Sequence, residues 1–346
     1  MRTRALGAEA RQCTRLLKPT FCILKEFKGN AKSIMELIRG RHNLRPRHRG
    51  CAVTVGAFDG VHRGHQTVLQ HLREEAGERG LKTAVITFEP LPREYFHPLE
   101  APPRIMTLRE KTLALAAQGV DYLLALRFDD LLRAQSADEF LQTYLVEGLA
   151  AAYIVLGDDF HFGNAREGDY QFLVERAAQY GYHVAPTPTC EVVGDRVSST
   201  RVRDALAQAD FSLATALLGH PFSLSGRVVH GRKMGRELGW PTANIELHRI
   251  RSPLSGVFAV RVDGAGLKQA HGVANVGVRP TVDDSLEANL EVHLLDRAVD
   301  LYGRRLQVTF LHKLRDEKKF DSLADLKSGI AQDVEHAKHW LACNDS

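Results

Sequence analysis

The chain has 346 residues, room for two domains of ordinary size with a core each. A hydrophobic share of 44% beside 25% charged residues excludes disordered and fibrous classes, and the longest run without Asp, Glu, Lys or Arg, between Asp210 and Arg227, holds His220, Pro221 and several serines, unlike a membrane-spanning helix. The formal net charge is +4, but residues 1–34 carry eight basic against two acidic side chains, so the remainder is slightly acidic and lacks the clustered positive surface that nucleic-acid phosphates require.

In chain order, the basic segment 1–34 comes first. Its apolar run Phe21-Cys22-Ile23-Leu24 is too short for a secretory signal. Its Arg-rich, acid-poor character fits an organellar transit peptide or, more simply, a disordered extension, and residues 1–34 are expected to be dispensable. From Cys51 to Gln208 apolar runs alternate with helical patterns: Cys51–Val55, a helix over Gly64–Arg79, Lys82–Phe88, a helix over Leu108–Gln118, and Tyr122–Leu126. The alternation continues with a helix over Ala137–Val146, Tyr153–Leu156, a helix over Tyr170–Tyr180, and a last helix after Ser199. Near-continuous apolar strands separated by helices predict a doubly wound parallel sheet, with ligands at the carboxyl ends of its strands. Past Leu218 the texture becomes short strands punctuated by glycines, which predicts a small antiparallel β-barrel closed by an amphipathic helix over Ser322–Leu341. Gly219-His220-Pro221 stops the preceding helix, so the α/β domain is read as 35–218 and the β domain as 219–346. Five scattered cysteines without a CxxC pair fit a reducing compartment, the cytoplasm.

Two stretches carry chemistry. The first, Val55-Gly56-Ala57-Phe58-Asp59-Gly60-Val61-His62-Arg63-Gly64-His65, falls where the first strand turns into the first helix. Its glycines permit close backbone approach, the free amides of the helix start attract an anion, and two imidazoles three residues apart suit one triphosphate. A plain surface turn is the other reading of the same residues, and a zinc pair lacks a third ligand nearby. The whole string resembles the HxGH signature of the nucleotidylyltransferases, and GxFDGVHxGH is similar to their flavin adenylyltransferase branch. That resemblance implies ATP binding by Gly56, Phe58, Asp59, Gly60, His62, Gly64 and His65, with His62 and His65 catalytic. Ser198-Ser199-Thr200-Arg201-Val202-Arg203 is similar to the SSTxxR motif of that branch, which implies that Ser199, Thr200 and Arg203, with Arg196, hold ATP phosphates and ribose. Gly157-Asp158-Asp159-Phe160-His161-Phe162-Gly163 resembles the loop that takes the flavin phosphate and nucleotide, implying Asp158, Asp159, Phe160 and Gly163. The sequence departs from that pattern at His161, where many relatives have Arg, and at Leu91, where many have His.

The second stretch runs from Gly226 to Asn244 and combines a basic, glycine-rich loop with Thr242 and Asn244 two residues apart. In an extended segment such residues share a face, so a hydroxyl and an amide can converge on one magnesium ion. In Leu290-Glu291-Val292-His293-Leu294 alternation sets Glu291 and His293 opposite the apolar face. The GRVVHG…PTAN string with LEVHLLD and Asp300-Leu301-Tyr302-Gly303 resembles riboflavin kinase. This implies ATP binding by Gly231, Lys233, Gly235, Arg236, Gly239, Pro241, Thr242 and Asn244, magnesium at Thr242 and Asn244, and Glu291 as the base on the flavin hydroxyl.

From about Met35, where Met35-Glu36-Leu37-Ile38-Arg39-Gly40 looks like the usual start of these enzymes, to Leu341, the chain resembles the bacterial bifunctional riboflavin kinase/FAD synthetase family. The resemblance implies ATP as co-substrate, Mg²⁺, and riboflavin, FMN and FAD as substrates and products, with no nucleic-acid or membrane partner. The alternatives are a chain with one active domain, or a barrel serving as a flavin-binding sensor; a sensor needs no base at Glu291.

Overall fold

The computed structural model describes residues 35–157, 160–187, 189–231, 239–280, 286–295, 297 and 299–344. The expected extension 1–34, and the candidate site residues Asp158, Asp159, Lys233, Gly235 and Arg236, lie outside the described residues.

The first half is built on strands β1 (Glu36–Arg39), β2 (Cys51–Val55), β3 (Lys82–Glu89), β4 (Tyr122–Arg127), β5 (Ala151–Leu156) and β6 (His183–Pro186), all parallel, in the order β1-β4-β3-β2-β5-β6. Every residue of β2 is buried because helices cover both faces of the sheet, which is why its sequence reads as an unbroken apolar run. Strands β1 and β6 are additions to the sequence reading; each is a four-residue edge strand, too short to show a period, and β6 ends on Pro186 where no ladder donor is needed. The expected helix over Ala137–Val146 starts as α (Ala137–Phe140) and widens into a π-helix over Leu141–Val146.

Strand order reverses between β2 and β5, whose neighbours lie on opposite sides of β2. Chain leaving β2 and chain leaving β5 therefore diverge, and a crevice opens past their carboxyl ends. Helix α1 (Arg63–Arg79) enters from that crevice, capped by His62 at its start and stopped by Gly80 in the left-handed region (φ 65°). Helix α2 (Leu108–Ala117) begins with a capping box, Thr107 with Glu110. Helices α3 (Tyr170–Tyr180), α4 (Ser199–Ala207) and α5 (Phe211–Leu218) follow, and the small hairpin β7 (Glu191–Val192) and β8 (Asp195–Arg196) leads into α4.

The second half is a closed antiparallel barrel of β9 (Ser223–Val229), β10 (Ala243–Glu246), β11 (Gly256–Gly264), β12 (Leu267–Pro280), β13 (Leu286–Leu294) and β14 (Arg305–Arg315), in the order β10-β13-β12-β11-β14-β9. Helix α6 (Leu323–Asn344) seals one side through Val334, Ala337 and Leu341. Among the described residues no helix is long and apolar enough to cross a membrane.

The two halves share a core. Val202, Leu206 and Leu217 of α4 and α5, with Ile105, belong to one buried cluster with the barrel-filling Leu224, Phe258, Val260 and Phe310. Phe211 stacks on Phe310 at 6.4 Å and meets Phe258 edge-on at 6.0 Å. Because the apolar surface is common property, Leu217→Ala should cost about 2–5 kcal/mol. Both halves should also unfold in one denaturant transition; two resolved transitions by circular dichroism would show separate cores.

Candidate functional site

A cleft of about 440 Å³ lies at the switch point, between the carboxyl ends of β2 and β5. It is lined by Gly56, Phe58, His62, Gly64 and His65 from the first turn, Gly157 and Phe160 after β5, and Arg196, Ser198 and Ser199 at the start of α4. Two helix amino termini, those of a 17-residue and a 9-residue helix, thus face one cavity, and both carry free amides and positive dipole ends. An extended polyanion is what such a cavity accommodates.

The imidazoles of His62 and His65 stack with centroids 3.7 Å apart and planes at 15°. The His62 Nδ1 accepts from the His65 amide at 3.3 Å, closing the first turn of α1, so the proton of a neutral His62 sits on Nε2. Burial pushes His62 down to about 4; the nearby Arg203 adds to the shift and Asp59 opposes it. Burial, then His62, then Lys111 hold His65 well below its ordinary value, and its Nδ1 is enclosed with no protein hydrogen-bond partner. At neutral pH both rings are therefore uncharged hydrogen-bond donors.

Asp59 and Arg203 are directed elsewhere. The Asp59 carboxylate, 1% exposed, accepts from the amides of Ile105 (3.1 Å) and Met106 (2.9 Å) and from Arg203 Nη2 (2.6 Å), while Arg203 Nε donates to the Pro103 carbonyl (2.7 Å). The Ser199 hydroxyl donates to the Asp59 carbonyl at 2.9 Å. These bonds fasten a turn in which Phe58 (φ 47°), Gly60 (φ 91°) and Val61 (φ 40°) are all left-handed, a costly conformation for a β-branched residue. Gly60 lines no part of the cleft; Thr200 is exposed on α4. Gly163 (φ 75°) lies against Ala137, whose backbone nitrogen stands 2.5 Å from where a Cβ would be. At the two departures, His161 Nδ1 meets Arg166 Nη2 at 3.2 Å, and Leu91 is a buried apolar residue opening the short helix Pro92–Phe96.

Sequence reasoning missed Lys111. It is 1% exposed on the inner face of α2, donates to Thr87 Oγ1 at 3.2 Å, and burial pushes its ammonium down to about 8 against the pull of Asp59. The signal was present: Lys111, Ala114 and Leu115 share one helical face, so a lysine stands where the period demands an apolar residue. Thr187, Thr189 and Cys190, which also line the cleft, sit in irregular chain after β6 and carry no motif.

In the barrel, antiparallel register sets Asn244 of β10 opposite Glu291 of β13, and Glu291 opposite Asn275 of β12. Three polar side chains thus form a row on the face turned away from Leu290 and Val292, which fill the interior at 0% and 1% exposure. Asn289 Nδ2 donates to Glu291 Oε1 at 3.0 Å, and the Pro241 carbonyl lies 2.9 Å from His293 Nδ1. Gly231 packs directly against this row: a Cβ there would fall 2.3 Å from Asn244 Nδ2, so a larger residue at 231 would push the Asn244 side chain aside. Thr242 precedes β10 and is half-buried; Gly239 (φ 88°) turns the chain before it.

Two family models match the chain, one described as FAD synthetase over residues 44–201 and one as riboflavin kinase over residues 218–341. A bifunctional riboflavin kinase/FMN adenylyltransferase of Pseudomonas fluorescens is 53% identical over 304 residues, 88% of this chain and 97% of its own length. The Escherichia coli K12 protein of the same name is 50% identical, covering 89% and 98%. A crystal structure described as a macrolide-efflux protein from Streptococcus pneumoniae superposes with a TM-score of 0.72 at 32% identity, over 89% of this chain and 99% of that one.

The depressed histidine makes stability pH-dependent. Between pH 6.5 and about 4 the unfolded chain takes up a proton that folded His62 refuses, so its contribution is complete above 6.5 and is lost as pH falls toward 4. Thermal midpoints should decline over that window, and His62→Asn should flatten the decline. An equally steep profile in the variant would place the titration elsewhere.

Proposed function

Because the chain belongs to the family of bifunctional riboflavin kinase/FMN adenylyltransferases, we propose a division of labour in which the barrel transfers the γ-phosphoryl group of ATP to riboflavin and the α/β half joins AMP from a second ATP to the resulting FMN. The products are FMN with ADP, then FAD with pyrophosphate. The observation that carries the reading is that each family model falls on a half with its own convergent polar side chains: the stacked histidines between two helix starts, and the Asn244–Glu291–Asn275 row. A silent half or a sensor barrel has no comparable support.

In the adenylyltransferase cleft the Nε2–H of neutral His62 and the ring of His65 donate to oxygens of the α-phosphate as charge builds on them, while helix-start amides and Ser199 receive the remaining phosphates. Arg196 at the hairpin edge adds a cation on the cleft wall. Phe160 and Gly163, with Asp158 and Asp159, supply the flavin side. Asp59, Gly60 and Arg203 serve by fixing the turn, and Thr200 by opening α4. No covalent intermediate is needed; the site works by placement.

In the barrel, Thr242 and Asn244 offer hard oxygens, and strand pairing sets Asn244 beside the Glu291 carboxylate, a donor set that suits a small, oxygen-liganded cation. Thr242 and Asn244 would hold Mg²⁺, which when bound neutralises charge on the ATP phosphates. Gly231, Gly239 and Pro241, together with Lys233, Gly235 and Arg236, are assigned to ATP binding in this half. Glu291, oriented by Asn289, takes the proton of the riboflavin 5′-hydroxyl. A cytoplasmic location agrees with the free thiols of Cys51, Cys190 and Cys343.

Replacing His62 and His65 by Ala should lower FMN adenylylation by about 10²–10³-fold and let FMN accumulate from riboflavin, read by chromatography. Loss of FMN formation as well would contradict separate sites.

Glu291→Gln keeps the size and a hydrogen-bonding oxygen but removes basicity, and should lower riboflavin phosphorylation by about 10²–10⁴-fold with little change in KM. Thr242→Ala should instead raise the apparent KM for MgATP. Adenylylation of supplied FMN should survive both changes, and near-normal phosphorylation by Glu291→Gln would leave positioning alone to explain the step.

A further inference from the structure

We propose that Arg249, a residue of the barrel half, positions the adenylyltransferase turn through the segment Pro103–Thr107, which both halves grip. The proposal rests on the assignment of His62 and His65 to that reaction.

The segment is held from two sides. On one, the amides of Ile105 and Met106 donate to Asp59 and the Pro103 carbonyl accepts from Arg203. On the other, Arg249, which follows β10 and is 6% exposed, donates from Nη1 to the carbonyls of Arg104 (3.1 Å) and Ile105 (3.3 Å) and from Nη2 to Glu110 Oε2 (2.7 Å). Glu110 in turn accepts from the Thr107 amide (2.8 Å) and from the amide (2.9 Å) and hydroxyl (3.0 Å) of Ser225 in β9. Ile105 is therefore fixed at both ends of its backbone, its N–H to the active-site turn and its C=O to the barrel. Its side chain stands 3.2 Å from where a Cβ on Gly60 would be.

This matters because the turn is strained. Phe58 and Val61 keep left-handed backbones (φ 47° and 40°) only while the surroundings over-determine them, and Asp59 between them is the anchor. Slack in the segment passes to Asp59 and then to His62, three residues on, whose ring caps α1. A catalytic donor displaced by about 1 Å loses up to about 100-fold in rate. A guanidinium that crosslinks two carbonyls and a carboxylate, almost without exposure, is a rigid means of removing that slack.

The test uses the full chain with Arg249→Met, Arg249→Lys and Glu110→Gln, measuring adenylylation of supplied FMN and phosphorylation of riboflavin on the same preparation. Arg249→Met should lower kcat for adenylylation by about 10- to 100-fold, with KM for ATP and the phosphorylation rate each within about twofold of the parent. Arg249→Lys, keeping the charge and a donor, should recover part of the loss. Unchanged adenylylation, or both activities falling in the same proportion, overturns the proposal, the second because it reports lost folded protein rather than a loosened turn. If Arg249→Met does not accumulate as folded protein, the same activity ratio in Glu110→Gln decides: selective loss of adenylylation supports the linkage, and a proportional or absent loss refutes it. His62→Ala run in parallel separates the two levels, since full adenylylation in that variant sinks the site assignment itself, whereas a normal Arg249→Met beside a dead His62→Ala sinks only the linkage.

Discussion

A carboxylate with almost no exposure needs partners, and the α/β half is arranged around those of Asp59. Two amides from one segment and a guanidinium from α4 converge on it, so three stretches distant in sequence are fixed to one another at the crevice. Without that charge the left-handed residues on either side would relax, and the helix start that presents the two histidines would lose its bearing. The same interaction that stabilises the fold also fixes the wall of the cleft.

The two candidate sites rest on different physics. In the α/β half, donors gather at helix ends and burial keeps His62 and His65 neutral, an environment in which a hydrogen bond meets little competition from water. The candidate site of the barrel is built differently. Its polar row comes from strand pairing, one side chain per strand, with alternation guaranteeing that all point away from the packed interior. A single chain thus gathers candidate polar groups at helix ends in one place and along paired strands in the other.

Much of this was legible in the sequence, for reasons that can be traced. Cys51–Val55 reads as a doubly covered strand because burial on both faces forbids alternation, and Leu290–Leu294 reads as half-covered because it alternates. Helix α1 announces itself through His62, Gly80 and the spacing of Val68, Leu69, Leu72 and Ala76. Strands β1 and β6 did not, because four residues at a sheet edge carry no period. The pairing of Asp59 with Arg203 was not legible: both belong to the motifs, but that their side chains turn toward each other only the return of α4 to the first turn reveals. Arg249 had no signal at all, since its partners are mostly backbone carbonyls that any sequence would supply.

The closed barrel has a consequence for synthesis. Strand β9 pairs with β14, so the ring stays open until residues near Arg315 have left the ribosome. Until then Phe258 and Val260 lack the cover of Val308 and Phe310, and the rims of β9 and β11 that β14 will join are exposed to other chains. A ribosome that stalls between β13 and β14 would release a half-built ring with adhesive edges, so the cell's exposure to aggregation from this protein is concentrated in the translation of a few dozen codons.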